Sequence, residues 1–145
     1  MAGTISHEQF VTAFYTTFVF KVERKILEWA LARPSTDAQA KQLAAGALDK
    51  FAVWHVEQRG PEQLLMCDLN SRTRSWLMVA PTTWDNGTGT RLYFGSAVVA
   101  MKNRRTGKAE MGLVFRLLLG FHRIYSRVLL RSALHNLRPR GRNRA

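Results

Sequence analysis

The chain is short of the residues from which most small sites are built. Its 145 residues include one cysteine, Cys67. An intramolecular disulfide is excluded, as is a cysteine-rich zinc site, and a lone thiol fits a reducing compartment. The four histidines, His7, His55, His122 and His135, do not fall at metal-ligand spacing with a nearby carboxylate, so neither a metal nor another cofactor is expected. Gly87-Thr88-Gly89 lacks the lysine and following helix of a phosphate loop. No serine occupies a nucleophile elbow, and Cys67 falls mid-strand, where inert burial is the expectation. No run reaches the ~18–20 apolar residues of a membrane span. The first basic residue is Lys21, so no charged region precedes an apolar run as in a signal peptide. These absences lead to the expectation of a soluble, cytoplasmic, single-domain protein without internal repeats.

Acidic residues are the other scarcity: 10 Asp/Glu stand against 22 Lys/Arg, a net charge of +12. Residues 1–100 are nearly neutral, with 10 Lys/Arg and 9 Asp/Glu, whereas residues 101–145 carry 12 Lys/Arg against Glu110 alone. Such asymmetry suits a polyanion or an anionic surface, and equally a solvated helix face with a basic tail. The residues for a polyanion are Arg104 and Arg105 in a basic loop and Arg123, Arg127 and Arg131 on the helix that follows. No aromatic residue interleaves the cations of the loop or of the tail at 138–145, so base stacking is not signalled there. The tail is expected to be disordered, leaving residues 1–137 as the domain.

What the chain does have is one long amphipathic stretch, Met111 to Leu137, without proline. On a 3.6-residue period Arg116, Arg123, Arg127, Arg131 and Arg138 share a stripe. Val114, Leu118, Phe121, Tyr125, Val128 and Leu129 lie roughly opposite. As a helix it would be roughly 40 Å long and would need packing along its length.

Upstream, Ser6 and Gln9 form a capping box before Phe10, Ala13 and Phe14, which predicts a helix over 7–15. The Phe, Val, Thr and Tyr content of residues 9–20 also suits a strand. A second helix is expected over 18–32, with Val19, Val22, Ile26 and Trp29 buried and Lys21, Lys25 and Glu28 outward. Arg33-Pro34 ends it. Thr36 and Gln39 cap a third helix over 37–48. The period then changes to 2, giving strands at 51–58, 63–69, 73–80 and 90–100, with a loop from Pro81 to Gly89 and Asn86-Gly87 as its turn signal. The short connections require an antiparallel meander. The fold class is therefore α+β: short N-terminal helices, a meander sheet, and one long C-terminal helix packed across it. On the third strand Trp76 and Met78 share one face, and Leu77 and Val79 the other.

This order resembles the helix-grip fold of the START-like superfamily, which includes polyketide cyclases and birch-pollen-allergen-like ligand binders. More narrowly, Glu57 to Leu134 resembles a family of bacterial proteins thought to belong there. The motifs are Thr73-Arg74-Ser75-Trp76-Leu77-Met78-Val79, Gly89-Thr90-Arg91-Leu92, Phe121-His122-Arg123 and Leu129-Leu130-Arg131. The chain departs from the usual pattern, which opens with a strand and has more strands than the four counted here. The resemblance implies an apolar pocket between sheet and last helix for a lipid-like or aromatic small molecule; it implies no single reaction.

Within that frame, Arg74, Trp76, Met78, Tyr93, Phe121 and Tyr125 are the candidate ligand-binding residues. Arg74 with Asp68, roofed by Trp76, would hold a carboxylate through its bidentate fork, and it would serve equally as an exposed cross-strand ion pair. Tyr93 and Gly95 occupy one face of the fourth strand. His122 is the candidate acid–base residue for cyclisation or isomerisation, since histidine titrates near neutrality; the same residue would also suit a hydrogen-bonded tether between helix and sheet. The alternative function is a basic module for nucleic acid or an anionic membrane surface.

Overall fold

Two capping boxes start helices where the sequence places them. Ser6 Oγ accepts from the Gln9 amide at 3.1 Å while Gln9 Oε1 accepts from the Ser6 amide at 2.9 Å. Thr36 and Gln39 repeat the arrangement at 3.2 and 2.9 Å. Each box satisfies N–H groups that a first helical turn leaves without partners. Ser6→Ala and Thr36→Ala are each expected to cost about 1 kcal/mol, read as a lower urea midpoint at unchanged slope.

The computed structural model describes residues 3–31, 34–84, 87–99 and 126–137. Three helices come first: α1 (His7–Tyr15), α2 (Phe18–Leu31) and α3 (Asp37–Ala44). Five strands follow: β1 (Lys50–Phe51), β2 (Trp54–Gly60), β3 (Gln63–Asp68), β4 (Thr73–Trp84) and β5 (Gly87–Val98). Residues 126–137 are again helical, here α4. The strands form one sheet in chain order, every neighbour antiparallel. The α+β class and the meander are as expected, and the strand alternative for residues 9–20 is replaced by α1 and the start of α2. Residues 101–125, including Met111 to Tyr125 of the long amphipathic stretch, and the tail at 138–145 lie outside the described residues.

Three local expectations change. The strand expected over 51–58 is split: Ala52, at φ +53°, and Val53 turn the chain between β1 and β2, giving five strands where four were counted. The expected loop at 81–89 is mostly ladder, since Pro81↔Thr90 through Trp84↔Gly87 are paired. Its threonines favour strand by their β-branching. Pro81 is tolerated because β4 there has run past its last β3 partner, the Gln63↔Met78 pair, and has β5 alone beside it. α3, expected to reach residue 48, stops at Ala44. Gly46 adopts φ +79°, its amide bonds Leu43 O at 3.1 Å, and the Ala47 amide bonds Gln42 O at 2.8 Å. That is a Schellman termination, for which glycine bears no Cβ penalty. Arg59 of β2 then donates to Leu43 O at 2.8 Å and Leu48 O at 3.2 Å, tying the helix end to the sheet.

The core lies on one face of the sheet. Leu64 and Met66 of β3 and Ser75, Leu77 and Val79 of β4 are buried there. Over them pack Phe10, Val11, Phe14 and Tyr15 of α1, Ala40 and Leu43 of α3, and Leu129 and Ala133 of α4. Asn136 Nδ2 of α4 donates to Ala13 O of α1 at 3.3 Å. Arg127 and Arg131 are exposed, as their stripe predicts, but Val128, expected on the packed side, is 41% exposed. The buried side of α2 also differs from the expectation. Phe20 and Arg24 turn inward and Val22 is exposed, while Val19 is half-buried. The Arg24 guanidinium stands 5.9 Å from the centre of the Phe51 ring and pairs with Asp37, which also takes Lys21 at 2.6 Å. Burial works to raise the Asp37 carboxyl. The hydrogen bonds and charges of Lys21 and Arg24 outweigh it, and the group titrates below the usual carboxylate range.

Candidate functional site

Period-2 alternation gives β4 two faces. Ser75, Leu77 and Val79 go to the core, so Arg74, Trp76 and Met78 go to the other side, away from α1 and α4. Register completes that outer face. Trp76 pairs with Leu65 of β3 and Gly95 of β5, Met78 with Gln63 and Tyr93, and Ala80 with Arg91. Four of the residues singled out from sequence, Arg74, Trp76, Met78 and Tyr93, thus come together. They share the face opposite the described helices rather than the face that α1 and α4 cover. The other candidates, Phe121, His122, Tyr125, Arg104, Arg105 and Arg123, lie outside the described residues.

Trp76 is held at both edges. Its Nε1 donates to Gln63 Oε1 at 3.1 Å on the β3 side. On the β5 side a Cβ at position 95 would come within 3.3 Å of Trp76 Cε3, closer than a side chain fits with ease. The indole therefore lies across β4 from one neighbouring strand to the other, in the space that Gly95 leaves open. The Tyr93 ring follows it, with centroids 6.4 Å apart and planes 36° from parallel. Trp76, Met78 and Tyr93 are each half-buried. A glycine inside a strand marks close approach of another group, and here that group is the indole.

The charge at this face is arranged by a cross-strand pair. Arg74 Nε and Nη2 donate to Glu57 Oε2 and Oε1, both at 2.7 Å, a bidentate fork. The pairing with Asp68 expected from sequence is not made. Asp68 Oδ1 instead accepts from the Arg72 amide at 2.6 Å and the Thr73 amide at 2.9 Å, closing the β3–β4 turn. The short side chain of Asp68 suits that turn, while Glu57 has the reach to meet Arg74 from β2. The hydrogen bond from Arg74 holds the Glu57 carboxyl below its ordinary range and raises Arg74 in turn. Both side chains stay about one-third exposed, 30% for Arg74 and 34% for Glu57, so solvent screens the pair. Arg91, at the Tyr93 end, is exposed.

On the same face Cys67 of β3 pairs in register with Arg74 and is buried. Among the described residues no three His, Cys, Asp or Glu side chains group to hold a metal ion. A groove of about 1110 Å³, lined largely by polar side chains, opens between α1, Lys41 of α3 and His135 and Asn136 of α4. It lies apart from the aromatic face.

His7, at the start of α1, is buried, and its Nε2 has no partner among the described residues. Burial lowers its pKa below 6.5, a hydrogen bond to the Leu77 backbone opposes this, Arg59 lowers it further and Glu62 raises it. An unfolded chain takes up this proton near pH 6.5 while the folded one resists it until lower pH. The His7 contribution to stability is thus present above pH 6.5 and is lost as pH falls through the lower folded value. His7→Gln is expected to flatten this part of the pH dependence, read as urea midpoints across mildly acidic pH.

No family model matches the chain, and no curated protein or solved structure matches it.

Proposed function

We propose that the protein is a ligand-binding module that stacks a planar aromatic ligand on the outer sheet face, against Trp76, Met78 and Tyr93. The supporting observation is the indole of Trp76, fixed between Gln63 and Gly95 with Tyr93 next to it. A ring held at both edges is already ordered, so stacking on it costs little further conformational entropy. Arg91, exposed at the Tyr93 end, favours a ligand with negative charge at its rim, whereas the charge of Arg74 is already met by Glu57.

The helix-grip resemblance supports a small-molecule role. Under it, Phe121, Tyr125 and His122 would belong to a pocket on the face that α4 covers, apart from the Trp76 platform. A second reading, a basic module for nucleic acid, is favoured by the exposed Arg127 and Arg131 on one side of α4.

The test is calorimetric titration with 2-naphthoate, a planar aromatic carboxylate. Trp76→Leu is expected to weaken binding about tenfold or more, since base–aromatic stacking is worth ~1–3 kcal/mol per ring. Val128→Ala, a control on α4, should leave it unchanged. Equal affinity in wild type and Trp76→Leu overturns the reading.

A further inference from the structure

Among the described residues α2 carries apolar surface that nothing covers. Its inward side is accounted for by Phe20 and Arg24, both buried. On the other side Phe18 is 80% exposed and Val22, one turn on, is 45% exposed. The helical period brings position 25, Lys25, back to the same stripe. Fraying does not explain the exposure of Phe18. Thr17 is fully buried, its Oγ1 donates to Phe14 O at 2.9 Å and accepts from the Phe20 amide at 3.2 Å. This cap fixes the first turn of α2 and with it the direction of Phe18.

We propose that this outward stripe of α2 is a docking surface for an anionic lipid bilayer, into whose interface Phe18 and Val22 insert. Three features select that occupant. An exposed aromatic and a β-branched residue one turn apart, with lysines alongside, form the apolar stripe of an interfacial helix. Lys25 is exposed on the stripe, and Lys21, at its edge, stays 44% exposed while paired with Asp37; both reach the headgroup level from a helix lying in the surface plane. The net charge of +12, nearly all of it in residues 101–145, draws the chain as a whole toward anionic lipid, while the stripe itself contributes its two lysines. A nucleic acid would satisfy the cations but leave Phe18 and Val22 without a role. The sheet need not open, because the core side of α2 stays where it is. The proposal is independent of the aromatic sheet face.

The experiment is co-sedimentation of the full chain with vesicles of phosphatidylcholine alone and of phosphatidylcholine with phosphatidylserine, beside size-exclusion chromatography with light scattering. The expected result is binding to the serine-containing vesicles, and a loss of about tenfold or more in partitioning for Phe18→Asp with Val22→Asp. Both side chains are exposed, so circular dichroism and thermal midpoint should hold. A bimane label on Phe18→Cys should brighten and shift to the blue on the same vesicles, reporting insertion at that position. Equal partitioning of wild type and the double variant would overturn the proposal in favour of charge-only adsorption, and absence of binding to either vesicle would also overturn it. So would a dimer in solution that the double variant dissolves, which would make a second copy the occupant.

Discussion

Phe14→Ala is expected to remove about 3–5 kcal/mol of unfolding free energy, the range for truncating a buried phenylalanine. Phe14 is 1% exposed, and its ring lies 6.2 Å from Phe10, 5.3 Å from Tyr15, 6.3 Å from Phe20 and 4.6 Å from Phe94. Those partners come from α1, the start of α2 and β5. The ring is therefore the joint at which two helices meet the sheet. The cavity left by alanine would have a ladder on one side and capped helices on the other, and neither can move in to fill it. Domains of this kind hold about 5–15 kcal/mol in total, so the variant should sit near the limit of cooperative folding. Urea unfolding followed by far-UV circular dichroism measures the loss. A loss below about 1 kcal/mol would mean that the aromatic joint is not where the helices are held.

The second large effect separates binding from folding. Gly95→Val is expected to abolish 2-naphthoate binding while leaving stability close to wild type. The new Cβ would already stand 3.3 Å from Trp76 Cε3, and the two methyl groups of valine extend further. The indole must lift from the strand and release Gln63. Against that loss, valine is a far better strand residue than glycine, with a propensity scale spanning ~1 kcal/mol, so the fold gains where the platform is lost. Gly95→Ala should fall between, since a single carbon at 3.3 Å asks only a small displacement of the ring. Titration and urea midpoints on the same preparations decide it. Binding retained in Gly95→Val would show that the position of the indole does not matter.

Much of the backbone is legible in the sequence because local chemistry decides it. The Ser6–Gln9 and Thr36–Gln39 boxes name two helix starts, and period-2 runs name the sheet. What could not be read is decided by tertiary contact. Thr82, Thr83 and Thr88 read as a loop because Asn86 and Gly87 sit among them, yet pairing with β5 extends the ladder to Trp84. Phe18 and Val22 against Phe20 and Arg24 give α2 two eligible faces, and only the position of Phe51 and Asp37 settles which is inside. At the candidate site the grouping of Arg74, Trp76 and Met78 follows from strand period alone, and Tyr93 joins them only through the β4–β5 register that pairs it with Met78. Their placement away from α1 and α4 does not follow from the period, because apolar residues alternate on both faces of β4. Gln63 carried no signal as the hydrogen-bond anchor of an indole, and Glu57 none as the partner of Arg74; both depend on register across a hairpin.

The most direct test of the aromatic platform is a ¹H–¹⁵N correlation spectrum recorded as 2-naphthoate is added. The expected result is that the indole N–H of Trp76 and the amides of Tyr93 and Gly95 shift together and saturate together, while the amides of Leu64 and Leu77 hold their positions. A Trp76 indole signal that stays still throughout the titration, or shifts confined to the core face of the sheet, would contradict it.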